Sequence, residues 1–210
     1  MKSIYNGKTI YNGNGIYKGD DSLPPCEAMT LRFKFSDPTY NPVAAGVGTG
    51  GTWKQVTISP NIWDWTKNST YWYQSFNEAF IDNSNIVEVI DAGDTSEVTN
   101  TNQLFRSCSS LKSVCLFDTS NVTDMALMFA RCTSLERIPL FDTTKNTTVG
   151  YMFFNCYKVS EGALAIYQQM ATQENPPSTK TDCFTNCGRD TETGSAELAQ
   201  IPSSWGGLAP

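Results

Sequence analysis

Residues 104–125 read LFRSCSSLKSVCLFDTSNVTDM, and residues 128–149 read MFARCTSLERIPLFDTTKNTTV. The second stretch restates the first. Phe105, Phe129 and Phe153 recur every 24 residues, and Cys108, Cys132 and Cys156 keep the same step. Cys187 holds the equivalent place in a later copy, three residues after Phe184. Leu111, Leu135 and Val159 also match, as do Val114 and Ile138, Leu116 and Leu140, Asp118 and Asp142. A fixed period of this length marks supersecondary units that stack on one another, because no single copy buries enough apolar surface to offset the entropy of ordering it.

The spacing inside a unit predicts its content. Leu111-x-x-Val114-x-Leu116 and Leu135-x-x-Ile138-x-Leu140 fit a short strand with alternate side chains inward. Val122, Met125, Met128, Phe129 and Cys132 fall on one helical face, with Asn121 placed to cap it and Asp124 in its first turn. The expected fold is an α/β repeat: a leucine-rich-repeat solenoid of strand–turn–short-helix units. An N-terminal β cap would precede it, and a C-terminal helix with a degenerate capping repeat would close it. The expected segments are a leader at 1–25, the cap at 26–66, the repeats at 67–160 and the C-terminal part at 161–210.

The phrase LFDTSNVTDMALMFARCTSLERIPLFDT, residues 116–143, resembles the BspA-like leucine-rich repeat family of bacterial surface and mobile-element-associated proteins. The resemblance is strong over about residues 73–160. It implies a right-handed solenoid and a role in adhesion or protein binding, and it carries no catalytic residues.

Lys plus Arg number 15 and Asp plus Glu 21, a net charge of −6, so nothing favours nucleic acid or an anionic membrane. The low charged fraction and abundant Asn, Thr and Ser suit an extracellular or cell-surface protein. No histidine is present, which removes His-based triads and His metal sites. The N-terminus lacks an apolar core of signal-peptide length, and no apolar run is long enough to span a bilayer. No cofactor is expected. Seven cysteines leave at least one unpaired. Those at the repeat positions read as buried fillers, and no convergent Cys-x-x-Cys pairs point to zinc. Cys26 remains free to pair with Cys183 or Cys115.

Ile4-Tyr5-Asn6-Gly7, Ile10-Tyr11-Asn12-Gly13 and Ile16-Tyr17-Lys18-Gly19 repeat every six residues and predict small strands with tight turns. Such a segment is either a flexible leader or pairs with another chain. It is similar to short Tyr-Asn-Gly repeats near the ends of phage-tail-associated proteins. Met29–Phe35 alternates as a strand with Leu31, Phe33 and Phe35 inward, and Trp53–Ile58 is its expected partner. The cluster around Trp63, Trp65 and Trp72 either plugs the end of the core or offers stacking surfaces to a sugar. Ser160 is placed to cap a helix to about Thr172, with Leu164, Tyr167, Met170 and Ala171 inward. Residues 182–202 read as a final unit interrupted by Gly188–Ala196, with Trp205 closing the end.

A binding face is expected along the strands: Glu88, then Ser113, Cys115 and Phe117, then Arg137, Pro139 and Phe141. Phe117 and Phe141 either form an exposed apolar step or tuck beneath the Asp-Thr turns as extra core. Asp118 and Asp142 are expected to cap amides rather than bind metal. These features suggest a non-catalytic module that contacts a protein or glycan. A structural or host-recognition component of a phage or mobile-element particle is the alternative. A carboxylate-pair glycosidase is remote, since no acidic spacing favours it.

Overall fold

Leu31, Phe33 and Phe35 are the hub of the sheet that starts the fold. A computed structural model describes residues 2–5, 8–11, 30–56, 61–67 and 75–210, the first two segments as backbone. Strands β1 (Lys2–Tyr5) and β2 (Lys8–Tyr11) form an antiparallel hairpin, as the six-residue rhythm predicts. The main sheet contains β3 (Thr30–Phe35), β4 (Gly51–Gln55), β5 (Ile62–Lys67), β6 (Ile86–Ala92) and β7 (Ser113–Val114). Its order is β4-β5-β3-β6-β7, antiparallel throughout except for the parallel β6–β7 pair.

The expected leucine-rich-repeat solenoid is not the architecture found. Apart from the β1–β2 hairpin, regular strand among the described residues is gathered into one mixed, open five-stranded sheet. The α-helices among the described residues are two short ones, α1 (Ala163–Thr172) and α2 (Glu192–Leu198), both after the repeated segment. The strand expected in each unit shrinks to the two residues of β7 in one copy and to a single bridge, Arg137 to Glu161, in the next.

The helix expected between strands is replaced by consecutive tight turns, and the backbone gives the reason. Leu127 and Arg131 have φ of 59° and 64°, and the same left-handed pairing recurs at Gln103 and Ser107 and at Tyr151 and Asn155. Left-handed residues four apart cannot continue a right-handed helix. They aim alternate amides at the next copy instead: Leu127 N donates to Gly150 O at 3.0 Å, Phe129 N to Met152 O at 3.0 Å and Arg131 N to Phe154 O at 2.7 Å. Hydrogen bonds between copies thus replace those within a helix. Asp124, expected in a helical first turn, accepts Ala126 N at 2.9 Å in a local side-chain turn.

Apolar side chains of successive copies fall into columns. Phe80, Phe105, Phe129, Phe153 and Phe184 stack with centroid separations of 5.8, 5.5, 5.7 and 5.6 Å. Phe33 and Trp65 meet Phe80 at 4.5 and 5.0 Å and close one end. Tyr167 and Trp205 meet Phe184 at the other. Trp205 O accepts Phe184 N, so the expected closure by Trp205 is present.

Three local expectations change. The neighbours of β3 are β5 and β6, while β4 pairs with β5 and lies at the edge. Residues 62–67, read only as an aromatic cluster, form β5, which lies between β4 and β3. Helix α1 buries Ala163, Ile166 and the expected Met170, with Leu164, Tyr167 and Ala171 half-buried against the core, and it starts at Gly162 (φ 98°) rather than at Ser160. The insertion 188–196 contains the start of α2, where Thr191 Oγ1 accepts Gly194 N. Gly188 and Gly194 pack so closely that a Cβ on Gly188 would lie 2.7 Å from the Gly194 Cα.

Candidate functional site

The strand side offers polar groups at its start. Glu88 pairs with Ser113 across β6–β7 and with Lys34 across β3–β6. Ser113 Oγ donates to Glu88 Oε1 at 2.8 Å, and Lys34 Nζ lies 3.4 Å from Glu88 Oε2. Arg137 Nε lies 2.7 Å from Glu161 Oε1, with both side chains more than half exposed, so the pair contributes at most about 1 kcal/mol. Glu88, Ser113 and Arg137 therefore stand where a strand-side face requires.

The apolar part of that expected face is internal. Cys115, Phe117 and Phe141 are buried, and Pro139 is half-buried. The alternation slips after Val114: Leu116 and Leu140, expected inward, are half-exposed, while the phenylalanines after them enter the core. Strand β7 ends at Val114, so nothing enforces a period of two beyond it. Phe117 and Phe141 lie 5.2 Å apart, and Phe141 stacks on Phe129 at 5.9 Å. Of the two readings for these rings, the structure takes the core one.

The tryptophans divide. Trp65 is completely buried and donates Nε1 to Gly48 O at 2.9 Å. Trp63 is half-buried, and its Nε1 is enclosed with no hydrogen-bond partner. Trp72 lies outside the described residues. Half-buried Trp53 packs against Phe33 and Phe80. The core-plug reading holds for Trp65.

The cysteine ladder is buried as expected at Cys108, Cys132, Cys156 and Cys187. Each of the first three thiols donates to a carbonyl one copy back: Cys108 to Phe80, Cys132 to Phe105 and Cys156 to Phe129, at 3.0–3.1 Å. Burial pushes the Cys108 thiol up to about 12 and the Cys132, Cys156, Cys183 and Cys187 thiols well above their usual range. These groups stay protonated and unreactive. Cys26 lies outside the described residues.

The Asp-Thr turns are structural. Asp118 and Asp142 accept Ser120 N and Thr144 N, each at 2.9 Å, while buried Thr119 donates Oγ1 to Asp142 O at 2.8 Å in the next copy. Carboxylates used this way are engaged with amides. Among the described residues no group of three acidic or cysteine side chains could hold a metal.

The surface that sequence reading missed lies on the tight turns. Leu127 and Tyr151 occupy equivalent left-handed positions in adjacent copies, where a side chain points away from the core. Tyr151 is exposed, Leu127 half-exposed, and half-exposed Phe154 meets the Tyr151 ring edge-on at 5.6 Å. Leu127 N donates to Gly150 O and the N–H of exposed Arg131 to Phe154 O, so the two turns adjoin and Arg131 borders them. Their sequence signal is visible in hindsight: Leu127 and Tyr151 lie 24 apart, outside the expected helical stripe. A helical reading gives such residues no common direction.

Residues 74–175, just under half the chain, match the model of a family described as Mycoplasma protein of unknown function, DUF285. No curated protein and no solved structure matches the chain. The matched segment takes in the Phe80–Phe153 column and the Leu127–Tyr151–Phe154 surface, so the repeated part of this chain is similar to that family.

Proposed function

We propose that this chain is a non-catalytic binding module, displayed outside a cell, that docks a protein partner on the Leu127–Tyr151–Phe154 surface. The observation that carries the reading is the exposure of Tyr151 beside half-exposed Leu127 on stacked, hydrogen-bonded turns. Such groups are ordered before any partner arrives, so little entropy is lost on docking. Tyrosine and arginine are the side chains most often found at the energetic centre of protein interfaces. Tyr151 sits at the middle of this patch and Arg131 at its border. The resemblance to the BspA-like surface proteins supports the same reading.

Beads coated with the protein should adhere to partner cells, and protease treatment of those cells should abolish adhesion while glycosidase treatment should not. Tyr151→Ala and Leu127→Ser should each weaken adhesion at least tenfold. Equal adhesion by both variants would remove the surface proposed.

A second reading draws on the β1–β2 hairpin. Two strands alone are marginal in water, so a hairpin of this size is suited to pairing with another copy. This favours a component of a phage or mobile-element particle. Deleting residues 1–20 should then convert an oligomer to a monomer in light scattering, and a monomeric intact chain would exclude it.

A further inference from the structure

The chain has five arginines, and its 21 acidic residues outnumber its 15 basic ones. Three of the arginines take a carboxylate. Arg32 pairs with Asp64 at 2.6 Å, Arg137 with Glu161 at 2.7 Å and Arg189 with Asp190 at 3.4 Å. Among the described residues the other two, Arg106 and Arg131, form no ion pair. They stand in adjacent copies, joined where Ser107 N donates to Ala130 O at 2.7 Å.

Both lie at the turn surface. Exposed Arg131 donates its N–H to Phe154 O at 2.7 Å, so its backbone adjoins the copy that carries Tyr151. Half-exposed Arg106 donates Nη1 to Gln103 Oε1 at 2.6 Å. That amide orients the guanidinium and leaves its charge in place. Each arginine keeps N–H donors for a ligand, and the forked geometry suits a carboxylate. Leu127, Tyr151 and Phe154 set apolar surface beside these cations.

The acids of the preceding copy limit how much negative charge a ligand can carry. Glu78 and Asp82 are exposed there. Asp82 N donates to Arg106 O at 2.9 Å, and Glu78 Oε1 accepts Gln103 Nε2 at 2.9 Å. A polyanion running along the copies past Arg106 meets these two like charges. A ligand with one acidic group and apolar neighbours on the Tyr151 side avoids them. Arg106 and Tyr151 are two copies apart, about 10 Å at roughly 4.8 Å per step, a span covered by about three residues of extended chain.

We infer that the protein partner presents a peptide segment in which a single Asp or Glu lies within about three residues of a large apolar side chain. The carboxylate engages Arg131 and Arg106, and the apolar group packs on Tyr151 and Leu127. This inference rests on the turn-surface reading and adds the partner's chemistry to it.

The test is fluorescence anisotropy of the full chain with short synthetic peptides that place one Glu before, between or after Leu and Phe, against the same peptides with Gln in its place. At least one Glu peptide should bind, and its Gln counterpart should bind at least tenfold more weakly. Added salt should narrow that difference. Arg131→Gln, at an exposed position, should weaken the Glu peptide at least tenfold while leaving the Gln peptide and the thermal midpoint unchanged. Arg106→Gln should weaken the Glu peptide severalfold and checks the result independently. Four results would overturn the inference: no Glu peptide bound, equal binding of Glu and Gln peptides, undiminished binding by both variants, or tighter binding of polyglutamate, heparin or a sialylated sugar. Equal binding of Glu and Gln peptides that Tyr151→Ala still abolishes would overturn this inference alone and leave the turn surface standing. Binding of the Glu peptide that depends on Arg131 but is untouched by Tyr151→Ala and Leu127→Ser would instead remove the turn surface, and this inference with it.

Discussion

The rings of Phe129 and Phe153 lie 5.7 Å apart and within 3° of parallel, the best-aligned pair in the column. Both are buried and belong to adjacent copies. Phe153→Ala should lower stability by about 3–5 kcal/mol, read from the urea midpoint. Phe129→Ala should cost a similar amount. The double variant should cost less than the sum by roughly 0.5–1.5 kcal/mol, since the two rings touch. Strict additivity would show that the column is not continuous there.

The buried thiols set a pH dependence. Burial raises the Cys108 thiol from 9.0 to about 12, so the folded state holds its proton where the unfolded chain releases it. The stabilisation is fully present below about pH 9 and is lost as pH rises from there towards 12. The other buried ladder thiols shift in the same direction. Thermal midpoints should therefore be flat from pH 7 to 8.5 and decline above that. At pH 8, a thiol reagent such as DTNB should leave Cys108, Cys132, Cys156, Cys183 and Cys187 unlabelled until denaturant is added. Rapid native labelling of any of them, located by peptide mapping, would contradict the assignment.

The left-handed turns make a test that a helix would fail. Ser107 has a φ of 60°, and its N–H donates to Ala130 O at 2.7 Å. A β-branched side chain is strained there, so Ser107→Val should cost about 1–3 kcal/mol. Ser107→Gly should be close to neutral. In a helix the order would reverse, with Gly the more disruptive. Chemical denaturation of the two variants distinguishes the cases.

Arg32 is buried on the opposite face of β3 from Leu31 and Phe33, with Nε and Nη2 at 2.6 and 2.8 Å from the Asp64 carboxylate on β5. The pair locks the register in which Arg32 faces Asp64. Asp64→Ala leaves a buried guanidinium without that carboxylate and should lower stability by about 3–5 kcal/mol. A loss below ~1 kcal/mol would mean water or another group takes over.

Much of the interior was legible in the sequence. The 24-residue step marks which phenylalanines and cysteines share a column, because equivalent positions in stacked copies meet regardless of the backbone between them. Alternation over Leu31, Phe33 and Phe35 identified a strand, and Trp205 was correctly placed at the closing end. The Asp-Thr pairs were legible as caps, since Asp reaches an amide two residues on.

The tertiary structure decided the backbone between those columns. Met125, Met128, Phe129 and Cys132 have helical spacing, yet the left-handed residues at 127 and 131 are neither glycine nor otherwise marked in the sequence. Their strain is offset by amides that reach the next copy, a non-local gain that no local pattern encodes. The same cause hid the outward face. A strand reading aimed Phe117 and Phe141 outward, whereas the loss of regular strand after Val114 let them enter the core and left Leu127 and Tyr151 at the surface. Sequence periodicity determined who stacks on whom; the direction of each hydrogen bond, settled only on stacking, determined which side chains face water.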